Sequence, residues 1–318
     1  MSLTSAFTQA ILPILGVAAV GYLLGWRSDL NVGAVNTVGL YVLVPTLAFH
    51  SIATTQLGGG EVAKLGIGVV AYALIMMAIA YAVGRFAGES GPLLGALMLA
   101  SAFPNSGFVG IPLSTFAFGE LGRTTAVLYL TIQNLVVYTL GVYIASRGSD
   151  RGAREAAIEV FRLPLLYAVG LGVVIRALDV VPPVDGALMQ TVGLVGDAAV
   201  PVMLLVLGLQ LADTNVSAVS RSIAPTVLKL GAAPVVGIGL AMALGFADPT
   251  VARVFVLECA TPAAVIPLAL TIEYADDAAS VDGITAPEYL STAIFTTTVA
   301  GVLVLTGLLA AMQAGFLL

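Results

Sequence analysis

The chain has 318 residues, of which 59% are hydrophobic and only 9% are charged, and its mean hydropathy is +1.05. Soluble domains carry roughly a quarter charged residues, so this composition excludes an ordinary soluble protein. The net charge of −6 gives no basis for binding nucleic acid or an anionic membrane surface. The single cysteine, Cys259, and the single histidine, His50, exclude an internal disulfide and a Cys- or His-based metal site. We therefore expect no metal and no cofactor.

Apolar stretches of the roughly 20 residues that cross a bilayer recur along the whole chain. Glycine, proline or charged residues separate them, as at Gly58-Gly59-Gly60 and Asp248-Pro249. The sequence predicts an all-α integral membrane protein with ten spans, at residues 5–25, 35–53, 63–85, 92–117, 122–146, 163–180, 187–212, 220–246, 250–273 and 286–316.

A polar linker at residues 147–162 divides the chain into two five-span halves, 1–146 and 163–318. Basic residues favour the cytoplasmic side of a membrane, and the side that carries the linker has more of the basic residues. That group is Arg27, Arg85, Arg147, Arg151, Arg154, Arg162 and Arg221, against Lys64, Arg123, Arg176 and Arg253 on the other side. The linker is therefore predicted to be cytoplasmic, and both termini of this plasma-membrane protein to be extracellular.

Two of the predicted spans contain prolines where a helix should be continuous. Span 4 reads SAFPNSGFVGIPL at 101–113, and span 9 contains a weaker copy, CATPAAVIPL at 259–268. A bilayer provides no water to satisfy a broken backbone, so such breaks persist only inside protein or beside a water-filled cavity. Breaks at corresponding positions of two halves indicate the substrate site of a transporter. Because each half has an odd number of spans, the prediction is two inverted repeats whose broken helices cross.

The crossing of these spans predicts a site for a small anion. Half-helix N-termini carry partial positive charge, which favours a carboxylate without a buried arginine. Two polar amides in the middle of span 5 are further candidates, although they could equally hold helices together. The predicted substrate-binding residues are Pro104, Asn105, Ser106, Gly107, Gln133, Asn134, Thr261, Pro262 and Ala263.

The run NSGFVGIPL at 105–113 resembles the signature of the auxin efflux carrier family, which includes the plant PIN carriers and bacterial organic-acid permeases. Similar runs lie in span 2 (VPTLAFH, 44–50), span 5 (QNLVVYTL, 133–140), span 7 and span 9. The resemblance implies a scaffold domain of spans 1, 2, 6 and 7 and a transport domain of spans 3–5 and 8–10. It also implies elevator-like alternating access, a homodimer formed through the scaffold, and an architecture shared with bile-acid/sodium symporters and sodium/proton antiporters. PIN carriers place an Asn at the second crossover as well, where this chain has 261–263 (TPA).

Charged residues within spans are costly and are functional hypotheses by default. Glu258, just before the break in span 9, is the candidate for coupling transport to Na⁺ or H⁺. A protonated or paired structural carboxyl is the alternative. The roles of His50, Asp197 and Lys229 stay open, since each could be structural or functional.

The leading hypothesis is a secondary transporter of a small organic anion, an auxin-like acid or a dicarboxylate. A cation/proton antiporter of the same architecture is the alternative, although it would be expected to carry paired acids at the crossover. An intramembrane enzyme is not expected, because a protease would need Ser/His, His-x-x-x-His or paired Asp motifs, and the one histidine of this chain shows no such spacing.

Overall fold

The computed structural model describes residues 8, 11–28, 32–55, 57–145, 161, 163–212, 221–274, 280–281 and 283–317. The predicted linker 147–162 lies outside these residues except for Phe161. The described chain is mostly helical. Its elements are α1 (Leu12–Arg27), α2 (Val32–Val38), α3 (Val44–Thr54), α4 (Gly59–Phe86), α5 (Gly91–Ala102), α6 (Ile111–Val136), α7 (Val142–Ala145), α8 (Pro164–Ala177), α9 (Ala187–Asp197), α10 (Ala199–Ala212), α11 (Ile223–Val227), α12 (Ala233–Leu244), α13 (Pro249–Ala260), α14 (Ile266–Tyr274), a hairpin of β1 (Ser280–Val281) and β2 (Ile284–Thr285), and α15 (Ala286–Gln313). Short π-helical segments join helices at Gly39–Leu43, Ser106–Gly110, Val137–Gly141 and Leu228–Ala232.

Within the described ranges, six helical segments are long and apolar enough to cross a membrane. They are Val32–Thr54, Gly59–Phe86, Ser106–Ala145, Ala187–Ala212, Ile223–Leu244 and Ala286–Gln313. The outer surface exposes large apolar side chains such as Trp26, Phe86 and Leu303, which are 72%, 93% and 80% exposed. A soluble monomer rarely exposes so much apolar surface. The chain is therefore a multi-pass helical membrane protein, while the count of ten spans and the inverted repeat stay predictions.

The longest helical segment, Ser106–Ala145, has 40 residues and would be about 60 Å long if straight, twice the hydrocarbon thickness of a bilayer. It bends at Gly119, whose φ of 64° and ψ of −147° are not helical. Residues with a side chain rarely adopt that conformation. The bend lies between the predicted spans 4 and 5, at the point where the chain has to turn back.

Both predicted helix breaks are present. The backbone leaves the helix at 103–105 in span 4 and at 261–265 in span 9. Pro104 and Pro262 lie within these gaps, where the ring removes a donor and blocks continuation of the helix. Each span is therefore two half-helices joined by an extended segment.

The two extended segments run antiparallel and pair with each other. The Asn105 N–H donates to the Pro262 carbonyl at 2.8 Å, and the Ala264 N–H donates to the Phe103 carbonyl at 2.9 Å. In hydrocarbon, every backbone group needs such a partner. The broken helices thus meet at a crossover. There, each extended segment provides hydrogen-bond partners for backbone groups of the other that no longer have a partner within their own helix.

Close backbone contact joins α1 to α10. A Cβ on Gly208 would lie 2.0 Å from the Ala18 carbonyl oxygen, and one on Gly21 would lie 2.2 Å from the Leu205 carbonyl oxygen. Small residues allow such approach between helices in lipid. Helix α3 packs against α8 and α9, so predicted spans 1, 2, 6 and 7 contact one another. A second group of contacts links α4, α5, α6, α12, α13 and α15.

Replacing Gly208 with leucine is expected to destabilise the protein by about 3 kcal/mol or more, because the side chain would force α1 and α10 apart. The midpoint of thermal unfolding in detergent measures this. Gly239→Leu is the matched control, since a Cβ at Gly239 would meet nothing within 4 Å. Equal shifts in the two variants would contradict the close-packing argument.

Candidate functional site

Gln133 on α6 holds the break in span 4 in place. Its Nε2 donates to the Pro104 carbonyl at 2.9 Å, and its Oε1 accepts from the Ser106 hydroxyl at 3.0 Å. Gln133 is buried, and a buried carbonyl without a partner costs about 1–3 kcal/mol. One amide therefore binds both the extended segment and the first residue of the half-helix that follows it, which makes Gln133 a positioning residue for the extended segment.

A buried lysine and a buried tyrosine cap the helix that ends at the break in span 9. The Cys259 carbonyl, in the last turn of α13, accepts from the Tyr72 hydroxyl at 2.9 Å and from Lys229 Nζ at 3.1 Å. Lys229, which is 0% exposed, also donates to the Tyr72 hydroxyl at 2.7 Å. Positive charge at a helix C-terminus is stabilising. The geometry thus gives Lys229 a structural contact at the crossover.

Two further groups of the span 9 break are also paired. Thr261 Oγ1 donates to the Glu258 carbonyl at 2.9 Å, and the Ala263 N–H donates to Thr297 Oγ1 at 3.1 Å. The hydroxyl of Thr261 therefore acts on its own helix end, and α15 supports the extended segment through Thr297.

Asn105 carries a donor that the protein leaves unused. Its Oδ1 accepts from the Phe108 N–H at 3.2 Å, which caps the second half of span 4. This contact determines the orientation of the Asn105 side-chain amide, because only its oxygen can accept from an N–H group. Its Nδ2 is buried and has no hydrogen-bond partner, and the residue is only 3% exposed. Unpartnered buried donors are rare and need an explanation, and a ligand acceptor would provide one.

A cavity of about 310 Å³ lies against the crossover. The start of the second half of span 4 and the start of α14 both line it. Its size is at the lower end of those of small-molecule sites. Its polar lining residues are Asn36, Tyr41, Asn105, Ser106, Gln133, Asn134, Tyr138, Gln210 and Glu273, and no Lys, Arg or His is among the described residues that line it.

Six of the nine predicted substrate-binding residues line this cavity, namely Pro104, Asn105, Ser106, Gly107, Gln133 and Asn134. Thr261, Pro262 and Ala263 do not, although the following residues 264–266 do. Pro262 instead lines a separate apolar cavity of about 410 Å³ beside α1, α10 and α15. The second extended segment thus contributes its backbone to the crossover. The cavity is lined by the end of that segment and by the N-terminus of α14, which follows it.

Five further polar residues line the cavity that the sequence prediction missed, namely Asn36, Tyr41, Tyr138, Gln210 and Glu273. Asn36 and Gln210 are amides in apolar spans, and the rule that selected Gln133 and Asn134 would also have selected them. Tyr138 follows those two on the same helix. Glu273 lies in the last turn of α14, where the sequence looks like the end of a span, and no local pattern distinguishes it from a loop acid.

Glu258 is fully buried outside the cavity. Its Oε1 accepts from the Ser114 hydroxyl at 3.0 Å, and its Oε2 has no hydrogen-bond partner. Gly110 makes the space for this carboxyl, because a Cβ there would lie 2.0 Å from Oε2. A buried acid with one unpartnered oxygen can hold a proton or contribute to a cation site.

An ion pair connects the two groups of helices. Arg123 on α6, whose side chain is 8% exposed, donates to Asp197 at the end of α9 and to Glu120. His50 lies nearby, with Nε2 3.2 Å from where a Cβ on Gly193 would be. Neither Asp197 nor His50 lines the cavity. Asp197 thus joins predicted span 7 to predicted span 5.

The comparisons with known proteins agree on one class. A family model described as "Membrane transport protein" matches residues 6–159 and 153–309. The chain is 29% identical over 275 residues to an "Uncharacterized transporter" of Methanothermobacter thermautotrophicus, which covers 84% of this chain and 88% of that protein. It is 26% identical over 322 positions to a "Putative malonate transporter" of Rhizobium meliloti, covering 98% of this chain and 97% of that protein.

Proposed function

This chain belongs to the auxin efflux carrier family of membrane transport proteins, and on that premise we propose that it is a secondary transporter of a small organic anion. The substrate binds at the crossover of spans 4 and 9. The Rhizobium relative is named for malonate, which supports a small carboxylate as the transported class. No catalytic chemistry is required of the protein.

The observation that carries this proposal is the unpartnered Asn105 Nδ2 beside the 310 Å³ cavity. A carboxylate oxygen there would accept the hydrogen bond that the protein does not supply. The half-helix N-terminus that begins at Ser106 adds partial positive charge and backbone donors. An anion can therefore be bound without a basic side chain in the cavity.

Alternating access would use the two groups of helices as separate bodies. Spans 1, 2, 6 and 7 form the scaffold and the dimer contact, and spans 3–5 and 8–10 carry the site. The residues that line the cavity include Pro164, the first residue of α8 after the linker, and Glu273 in the last turn of α14, and both of these helix ends are predicted on the linker side. With the linker in the cytoplasm, this arrangement corresponds to an inward-facing state in the plasma membrane.

Glu258 is the proposed coupling residue. Its carboxyl would bind H⁺ or contribute to binding Na⁺. This carboxyl contacts span 4, which also contributes to the substrate site. The full burial of this acid is also the observation that favours the second candidate, a cation/proton antiporter of the same architecture.

Transport by the purified protein in proteoliposomes distinguishes the two candidates. Labelled small carboxylates are followed with and without a Na⁺ or pH gradient. We expect uptake of at least one carboxylate, with a rate that responds to one of the gradients if Glu258 couples. Cation exchange in the absence of any anion uptake would support the antiporter instead.

Breaking the Arg123–Asp197 pair is expected to change the uptake rate about fivefold, because movement of one body against the other must break this contact. A partly exposed pair contributes about 1 kcal/mol. Arg123→Gln, Asp197→Asn and the double variant form a double-mutant cycle on the uptake rate. Glu120→Gln, which leaves the contact between the bodies intact, is the control. Strict additivity of the two single effects would show that the pair does not act as a unit.

A further inference from the structure

Span 8 carries a buried lysine, Lys229, that the proposed transport cycle does not use. Its side chain is 0% exposed, and an ionisable residue inside a membrane span is costly and usually functional. Lys229 lies in the π-helical segment Leu228–Ala232, and single π-helical turns within α-helices are frequent at functional sites. The burial and the local backbone therefore both point to a role beyond packing.

The Lys229 ammonium contacts two oxygen atoms at the crossover. Its Nζ lies 2.7 Å from the Tyr72 hydroxyl and 3.1 Å from the Cys259 carbonyl oxygen. The Tyr72 hydroxyl donates its own proton to the same carbonyl at 2.9 Å, so its oxygen can accept from Lys229. Carbonyl, hydroxyl and carboxylate oxygens are also the ligands that hard cations prefer. The ammonium thus occupies an oxygen-lined position that suits a cation.

Negative charge surrounds this position. Cys259 lies in the last turn of α13, and a helix C-terminus carries about half an elementary negative charge. Glu258, the preceding residue, is a fully buried acid that interacts electrostatically with Lys229. In carriers with broken helices, unwound carbonyls and half-helix C-termini bind the coupling ion. Lys229 therefore places a positive charge where such a carrier would bind its cation.

We propose that the Lys229 ammonium is a covalently attached substitute for a coupling Na⁺ at the C-terminus of α13. This rests on the proposed function, and it removes Na⁺ from the two coupling ions that the proposed function leaves open. Uptake of the organic anion needs no Na⁺, because the positive charge is always in place. Shortening the Lys229 side chain opens the position to a small primary ammonium ion, which has the charge and the N–H donors of the lysine head group.

The wild-type protein tests the first part of this proposal. Uptake of labelled carboxylates in proteoliposomes and the midpoint of thermal unfolding in detergent are measured in NaCl and in choline chloride of equal ionic strength. We expect the same uptake rate and the same midpoint in both salts. A rate or a midpoint that rises with Na⁺ would show that the cation position is open, and would overturn the inference.

Lys229→Ala tests whether the position accepts a free cation. The fragment that this substitution removes corresponds to n-propylammonium. We expect the thermal midpoint to fall by about 5 °C or more, because the end of α13 and Glu258 lose their cation. Added n-propylammonium chloride should restore at least half of this loss in a saturable way. Tetramethylammonium chloride, which has the charge but no N–H donor, should not.

Lys64→Ala is the matched control for this rescue. Lys64 Nζ also donates to a backbone carbonyl at the end of a helix, that of Gly245 at 2.6 Å, but its side chain is 35% exposed. Water can replace an exposed ammonium of this kind. We therefore expect no response of Lys64→Ala to n-propylammonium.

Lys229→Met separates the charge of the lysine from its packing. Methionine is a flexible apolar side chain that fills irregular gaps, so the space stays occupied while the charge is lost. We expect uptake to fall about tenfold or more. Adding Glu258→Gln removes the buried acid that has lost its cation, and it should recover most of the thermal stability lost in Lys229→Met.

Wild-type uptake by Lys229→Met would overturn the inference, as would a Lys229→Ala variant whose thermal midpoint does not respond to n-propylammonium. If Lys229→Ala fails to fold, Lys229→Met and the wild-type comparison of salts still decide. The failure of the proposed function looks different: no labelled organic anion would be taken up in either salt, while the thermal midpoints would still report on the cation position.

Discussion

Replacing Asn105 with alanine is expected to weaken carboxylate binding by about 10- to 100-fold, because the variant loses the unpartnered donor of a residue that lines the cavity. It also loses the cap on the Phe108 N–H, which costs about 1 kcal/mol of stability. Calorimetric affinity and the midpoint of thermal unfolding, measured on the same preparation, separate the two effects.

Asn105→Asp is the matched variant for this prediction. Aspartate keeps an acceptor for the Phe108 N–H, so the cap and the fold should be retained. It replaces the Nδ2 donor with an oxygen that repels an anion. We expect a loss of affinity at least as large as in Asn105→Ala but with near-normal thermal stability. Normal carboxylate affinity in this variant would remove Asn105 from the site.

Placing a methyl group on Gly110 is expected to abolish transport. The new Cβ would lie 2.0 Å from Glu258 Oε2 and 2.6 Å from its Cδ, and Glu258 is 0% exposed and cannot turn out into solvent. Overpacking of this kind costs about 1–3 kcal/mol or more. In Gly110→Ala, we expect a lower thermal midpoint together with loss of uptake.

A second-site change tests whether the clash with Glu258 is the cause. Gly110→Ala combined with Glu258→Ala should recover most of the lost stability, since the carboxyl is gone, while any dependence of uptake on Na⁺ or pH stays absent. Gly107→Ala serves as the stability control, because its Cβ would meet nothing closer than 3.7 Å. If the double variant were no more stable than Gly110→Ala, the clash would lie elsewhere.

The breaks and their position could be predicted because their causes are local. Pro104 and Pro262 remove backbone donors wherever they lie in a helix, and a bilayer allows few remedies. The turn at Gly119 falls between the predicted spans 4 and 5, and it too has a local cause, because a residue without a side chain can adopt its non-helical backbone conformation. Each of these features depends on one residue and its immediate neighbours, so the sequence alone reveals it.

The direction of individual side chains could not be predicted in the same way. The sequence predicts Thr261 in the substrate site, and the structure shows its hydroxyl donating to the Glu258 carbonyl at the end of its own helix. Whether Thr261 or Ala264 faces the cavity depends on the rotation of the extended segment, which Thr297 and the strand-like pairing with span 4 determine. Those partners are distant in the chain.

Long-range contacts also explain what was missed around Glu258. Its partner Ser114 is 144 positions away, and the space that Gly110 leaves for its carboxyl has no signature in sequence. Glu273 has the same difficulty, because only the path of α14 past the cavity distinguishes it from other acids near span ends. The chemical type of each side chain could be predicted from the sequence. The position of one side chain relative to another could not.

The burial of Cys259 has a practical consequence for following the motion of this protein. The only cysteine of the chain is 0% exposed beneath the crossover, close to the Tyr129 hydroxyl, where a maleimide cannot reach its sulfur. The native protein should therefore be silent to thiol-reactive dyes. A cysteine introduced at Ala269, which lines the cavity, would then report by its labelling rate from each side of the membrane which face of the carrier is open.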